Sequence, residues 1–156
     1  MRNSKYLWIL LTFILISTRF VAIAWSQTVS DYYNQGLKSY NRSVFKEALE
    51  SSEQGLEIAE NTESLRAASV FLTNIGIVHR NLCYLQKALS YYGRALKIKR
   101  EIGDRIGVGN NLNNIGLVHS DLGDYPKALS YYEQSLKIYR EIGDRNGVGN
   151  NLNNIG

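Results

Sequence analysis

Residues 74–113 read NIGIVHRNLCYLQKALSYYGRALKIKREIGDRIGVGNNLN, and residues 114–153 read NIGLVHSDLGDYPKALSYYEQSLKIYREIGDRNGVGNNLN. The two stretches agree at 28 of 40 positions, which is a tandem duplication. Asn154, Ile155 and Gly156 open a further copy. A period of this size implies stacked supersecondary units, each too small to bury its own apolar face. A diverged earlier copy fits the same frame. Gly36 precedes Ala48 by the interval that separates Gly76 from Ala88 and Gly116 from Ala128. Leu49, Leu89 and Leu129 follow, then Leu56, Leu96 and Leu136.

Within one copy the apolar residues keep helical spacing. Val108, Leu112, Ile115, His119 and Leu122 recur at intervals of four and three, which is one stripe of a helix. Tyr125, Ala128, Leu129, Tyr132, Leu136 and Tyr139 form a second stripe. Gly123 and Asp124 stand between the stripes. Glycine enters the left-handed conformation that ends a helix, and aspartate caps the next one. Pro126, the only proline, falls in the first turn of the second helix, where a missing N–H costs little. Gly103-Asp104 and Gly143-Asp144 repeat that punctuation between copies. The fold predicted is all-α, an α-solenoid of stacked antiparallel helix-turn-helix hairpins.

The pattern resembles the tetratricopeptide repeat. That family places Leu, Gly, Ala and an aromatic residue at the fourth, eighth, twentieth and twenty-fourth repeat positions. These are Leu112, Gly116, Ala128 and Tyr132 in one unit, and Leu72, Gly76, Ala88 and Tyr92 in the unit before it. The first unit offers Tyr32, Gly36 and Ala48, but Ser52 replaces the aromatic. The small residue at the twenty-seventh position is Gly55, Ala95 or Ser135. The family's proline at the thirty-second position is missing, and Arg100 and Arg140 stand there. The usual spacing of about 34 residues is stretched by residues 143–148 and their equivalents. The long period resembles the subclass containing kinesin light chain and bacterial tandem arrays. On this resemblance residues 29–156 form the array. Its units run over about 29–68, 69–108 and 109–148, and a fourth starts at 149–156. Leu152 and Ile155 occupy core-type positions without a second helix to cover them, so the chain reads as a piece of a longer protein.

Residues 1–26 carry Arg2, Lys5 and Arg19 and no acidic residue. A short apolar run, Leu7 to Ile16, is followed by Ala22-Ile23-Ala24 and Ala24-Trp25-Ser26, two small-x-small cleavage sites. This is the layout of a signal peptide cleaved before Gln27 or Trp25, and it predicts export to a periplasmic, extracellular or membrane-associated location. The alternative is an uncleaved N-terminal membrane anchor, which would have to bury Arg19 in lipid. The formal charge of +4 is concentrated in this segment. The remainder has 15 basic residues against 14 acidic ones, interspersed, so no phosphate-binding footprint is present and no nucleic-acid partner is expected. Membrane contact is expected only through the N-terminal segment.

No enzymatic activity, catalytic residue or cofactor is expected. His79 and His119 recur at the repeat period, but no carboxylate or cysteine recurs with them, so they read as core histidines rather than metal ligands. Cys83 is the only cysteine. The Gly107-Val108-Gly109 stretch is not preceded by a strand pattern and fails the context of a phosphate loop. The residues left over are asparagines, which are poor helix formers. Asn110, Asn113, Asn114 and Leu117 share one face of the first helix, and Asn34, Asn74, Asn114 and Asn154 recur at one repeat position. In the resembled family this face lines the concave groove and binds peptides. A carboxamide donates and accepts, so it can pair with the N–H and C=O of a bound main chain. The expected function is therefore a protein- or peptide-binding scaffold with Asn34, Asn74, Asn110, Asn113, Asn114, Asn154 and Leu117 on its binding face. A structural ladder, each Asn bonding the neighbouring repeat, is the competing reading of the same residues. The competing function is a regulatory arm of a longer enzyme, for example a caspase-like peptidase, whose catalytic domain would lie beyond residue 156.

Overall fold

The apolar stripes and glycine punctuation produce an unbroken series of helices in the computed structural model, which describes residues 28–156. Residues 28–41 form α1. Then come α2 (Phe45–Asn61), α3 (Leu65–Asn81), α4 (Leu85–Glu101), α5 (Arg105–Asp121), α6 (Tyr125–Ile142) and α7 (Arg145–Ile155). No strand occurs among the described residues. The expected leader, 1–26, lies outside them. None of the described helices is long and apolar enough to cross a membrane.

All six turns have one design. A single residue takes positive φ: Ser43, Glu63 and Cys83 at 58°, 53° and 60°, then Gly103, Gly123 and Gly143 at 71°, 74° and 73°. The next residue's N–H returns to a carbonyl five residues earlier, as in Tyr84 to His79 at 2.8 Å and Asp124 to His119 at 2.9 Å. That bond satisfies one carbonyl that the helix end leaves open. The glycine turns are followed by Asp104, Asp124 and Asp144, whose carboxylates accept from N–H groups in the next helix's first turn. The three non-glycine turns are followed by Val44, Ser64 and Tyr84, none of which caps through its side chain. These three turns thus keep the geometry without its most favourable residues.

Counted by helices, α3 and α5 start at Leu65 and Arg105, four residues ahead of the unit starts at 69 and 109. The long period explains the offset. Residues 143–148 contribute the inter-unit turn and the first turn of α7, so they lengthen the first helix of the next hairpin.

Within and between hairpins, rings seat on glycines. A Cβ on Gly76 would lie 2.6 Å from the Tyr92 ring, and one on Gly116 would lie 2.5 Å from that of Tyr132. Only glycine leaves room for the ring and lets the paired helices approach. Phe71 sits in the same way against Gly55, and Tyr139 against Gly147. Leu72, Ile75, Leu112, Ile115 and Val118 fill the layers between these rings. Three members of the expected stripes, Leu122, Tyr125 and Leu129, are exposed at 42%, 68% and 43%. The contacts from α7 fall on the second half of α6, through Gly147 and Asn151, and leave its first half uncovered.

Candidate functional site

The odd-numbered helices stand next to one another. α3 touches α5 and α5 touches α7, whereas α2, α4 and α6 do not approach each other as closely. Closer spacing along one row of a stack bends the stack toward that row, so the odd helices form the inner, concave wall. Side chains bridge this wall at the repeat interval. Asn81 donates to the Tyr40 hydroxyl at 3.2 Å. Arg80 grips Asp121 through two bonds at 2.6 and 3.2 Å. Asn154 donates to Asn113 at 2.9 Å. The Arg80–Asp121 pair neutralises the charges it brings, so this stretch of the wall is polar without a dominant sign.

The expected site residues divide on this wall. Asn74 and Asn114 are half-buried, and neither side chain makes a hydrogen bond within the described residues. Leu117 is half-buried beside them. Asn34 is exposed and makes one long bond to the Ser30 hydroxyl at 3.4 Å. Asn113 and Asn154 are bonded to each other across α5 and α7, the behaviour of a ladder. Asn110 is exposed, and its carbonyl oxygen accepts from the Tyr139 hydroxyl at 2.6 Å, which ties it to α6. The free donors and acceptors of this set therefore concentrate at Asn74 and Asn114.

Two asparagines missing from the expected set carry structural work. Asn111 is fully buried, donates to the Tyr92 carbonyl at 3.1 Å, and accepts from the Thr73 hydroxyl at 3.1 Å. Asn151 is 1% exposed and donates to Ser135 Oγ at 2.6 Å, and Ser135 in turn donates to the Gly109 carbonyl at 2.7 Å. A buried amide without such partners would cost about 1–3 kcal/mol. The signal was available: Asn111, Ile115 and Val118 keep four-three spacing, which places Asn111 on the core stripe.

His79 is buried and stacks on Tyr91 at 5.3 Å between centroids, and His119 stacks on Tyr131 at 5.4 Å. Burial lowers the His79 pKa, and nearby Lys87 adds to the effect. Burial raises the Tyr92 phenol well above its ordinary range and also raises those of Tyr132 and Tyr139, so all three remain neutral near pH 7. Among the described residues no group of three His, Cys, Asp or Glu side chains is placed to hold a metal.

Paired helices, repeated left-handed turns and an inner wall define an α-solenoid of helical hairpins. Residues 66–141 match the model of the tetratricopeptide repeat family, and the chain is a tetratricopeptide-repeat protein. Solved structures agree on the fold. The chain is similar to BtubC (BKLC) from P. vanneervenii, with TM-score 0.74 and 17% identity over 81% of this chain and 53% of that one. It is similar to a signal transduction ATPase with a tetratricopeptide-repeat sensor from Pyrococcus horikoshii, with TM-score 0.75 and 21% identity over 82% of this chain and 20% of that one. The TPR2AB domain of yeast Sti1, solved in complex with an HSP90 peptide, gives TM-score 0.67 and 22% identity over 83% of this chain and 46% of that one. The chain thus spans about half the length of BtubC and less of the others. No curated protein sequence matches it.

Proposed function

We propose that the protein is a binding scaffold that holds a protein segment or peptide along the concave wall of its odd-numbered helices. One observation carries this reading: Asn74 and Asn114, one repeat apart on that wall, have carboxamides that make no hydrogen bond within the described residues, while the buried Asn111 bonds through both its amide nitrogen and its oxygen. A pair of free amides at the repeat spacing suits the alternating N–H and C=O of an extended main chain. The Sti1 domain of the same fold was solved with a peptide, which supports the reading by analogy of architecture. Residues 1–26 are read as an export signal, so the exported form should begin at Gln27 or Trp25 by mass spectrometry. A soluble cytoplasmic pool that retains Met1 would refute export.

The experiment is a selection from a displayed random-peptide library on the exported protein, followed by titration of the winners against an Asn74→Ala/Asn114→Ala double variant. Each lost main-chain contact removes about 0.5–1.5 kcal/mol, so affinity should fall roughly 5- to 150-fold. Melting temperature should hold or rise, because alanine is the better helix former. A destabilised variant with undiminished affinity would return these two residues to the ladder reading.

A further inference from the structure

The first hairpin differs from the next two at one core position. Tyr92 and Tyr132 lay their rings over Gly76 and Gly116 and are 1% and 4% exposed. The equivalent residue of the first hairpin is Ser52, over Gly36. A Cβ on Gly36 would meet Ser52 Oγ at 3.3 Å, then the Ala48 carbonyl and Ser51 Cβ at 3.6 Å, with no ring among these nearest atoms. The α1–α2–α3 junction holds a pocket of about 100 Å³ with Gly36, Ala48 and Ser52 among its lining. These three residues are buried, and the Ser52 hydroxyl makes no hydrogen bond within the described residues. Val78 adds a further buried wall, while Leu37, Tyr40, Asn74 and Ile77 are more exposed and mark the mouth. Asn74 is also one of the two half-buried expected site asparagines whose carboxamides make no hydrogen bond within the described residues.

We propose that this pocket receives a six-membered aromatic ring, the side chain of a Tyr or Phe in a peptide lying along the groove. The inference rests on the binding reading above and names the anchor such a peptide would carry. The two later hairpins supply the argument for the occupant. They place a tyrosine ring at the same step of the same repeat, against the same Gly and Ala. The walls are mostly apolar, and the pocket's ~100 Å³ is about two-thirds of the ~150 Å³ of engineered closed cavities that take up benzene, which suits a ring seated partly in an open mouth. Tyr40 lines the pocket where Arg80 stands one repeat later. A ring entering here brings its own main chain past Asn74, so one ligand residue would engage both features.

Two probes test this on the full chain. The first is p-cresol, the tyrosine side chain alone, followed by amide shifts in NMR. Saturable shifts at Gly36, Ala48 and Asn74 are expected, and Ser52→Tyr should abolish them while raising the melting temperature. Gly36→Ala, which adds one methyl inside the pocket and leaves Ser52 unsubstituted, should weaken them and guards against misfolding of the larger change. No saturable shift in the wild type, or shifts that persist in both variants, would overturn the proposal. So would p-cresol binding that dissociates a dimer, because the pocket would then belong to a second copy of the chain. The second probe is a selected groove-binding peptide in which one residue is varied through Tyr, Phe, Leu and Ala. Tyr and Phe should bind at least about tenfold tighter than Ala, since a buried ring contributes more than that factor, and Ser52→Tyr should erase the difference. Peptides that need Asn74 and Asn114 but ignore ring content and Ser52→Tyr would defeat the anchor and leave the groove reading standing. If p-cresol binds but no selected peptide depends on either asparagine, the groove reading fails and the peptide anchor with it.

Discussion

Converting Cys83 to glycine should stabilise the array. Cys83 joins α3 to α4 at φ 60°, is exposed, and makes no side-chain hydrogen bond within the described residues. Left-handed backbone costs an L-residue about 1–2 kcal/mol. Glycine removes that strain but returns about 0.5–1 kcal/mol through its looser unfolded chain, so the net gain is about 0.5–1 kcal/mol. Adding Tyr84→Asp restores the cap that Asp104 provides to Gly107 at 2.9 Å, worth about 1 kcal/mol. It also gives up the contact of Lys87 with the exposed Tyr84 ring, at 5.4 Å, worth about 0.5 kcal/mol, and the edge-to-face contact of that ring with His79, at 6.0 Å, worth about 0.5 kcal/mol. The double variant should therefore gain about 0.5–1 kcal/mol, a melting shift of roughly 2–4 °C for an array of this size. Gly123→Ala measures the same strain in reverse. Gly123 has φ 74°, and no atom lies within 4 Å of an added Cβ. Its loss of about 1 kcal/mol would therefore be conformational rather than steric. The assay is urea unfolding followed by far-UV circular dichroism, with the denaturant slope unchanged. A lowered midpoint for Cys83→Gly, or an unchanged one for Gly123→Ala, would refute the reasoning.

Three further outcomes are expected. Asn111→Ala should cost about 1–3 kcal/mol by removing the two buried hydrogen bonds that the amide makes to the Tyr92 carbonyl and the Thr73 hydroxyl; urea unfolding checks it, and wild-type stability would show that the buried amide is dispensable. Gly116→Ala should cost about 1–3 kcal/mol against the Tyr132 ring. Gly36→Ala, whose Cβ would meet the Ser52 hydroxyl at 3.3 Å and the Ala48 carbonyl and Ser51 Cβ at 3.6 Å, should be neutral or gain up to about 1 kcal/mol in helix propensity; equal effects of the two changes in thermal melts would contradict the packing difference between the hairpins. Finally, burial lowers the His79 pKa, so the unfolded chain binds that proton more readily. Its stabilising contribution is complete above the free-histidine value of ~6.5 and is lost as the pH falls below it. His79→Phe should flatten the fall of the urea midpoint below that pH, and an unaltered slope would assign the dependence elsewhere.

The amino-acid sequence by itself determined the helices, their pairing, the turns and the family. Those follow from patterns local to the chain: four-three apolar spacing, Gly-Asp punctuation, and a repeat that forces equivalent residues into equivalent places. It also showed that Ser52 breaks the aromatic series and that asparagines crowd one helix. Tertiary structure alone decided what these departures mean. Asn111 and Asn114 are three residues apart on α5, yet one is locked to Tyr92 and Thr73 while the other has no hydrogen-bond partner among the described residues. The difference lies in which atoms of other helices stand opposite. Ser52 leaves a pocket because Gly36 and Ala48 lie beside it and no neighbouring side chain fills the space. Ser43, Glu63 and Cys83 adopt a glycine conformation because the packed hairpins on either side impose the turn. Periodicity assigns a residue to a face of its helix; whether that face is bonded, filled or open depends on side chains up to forty residues away, and only packing brings them together.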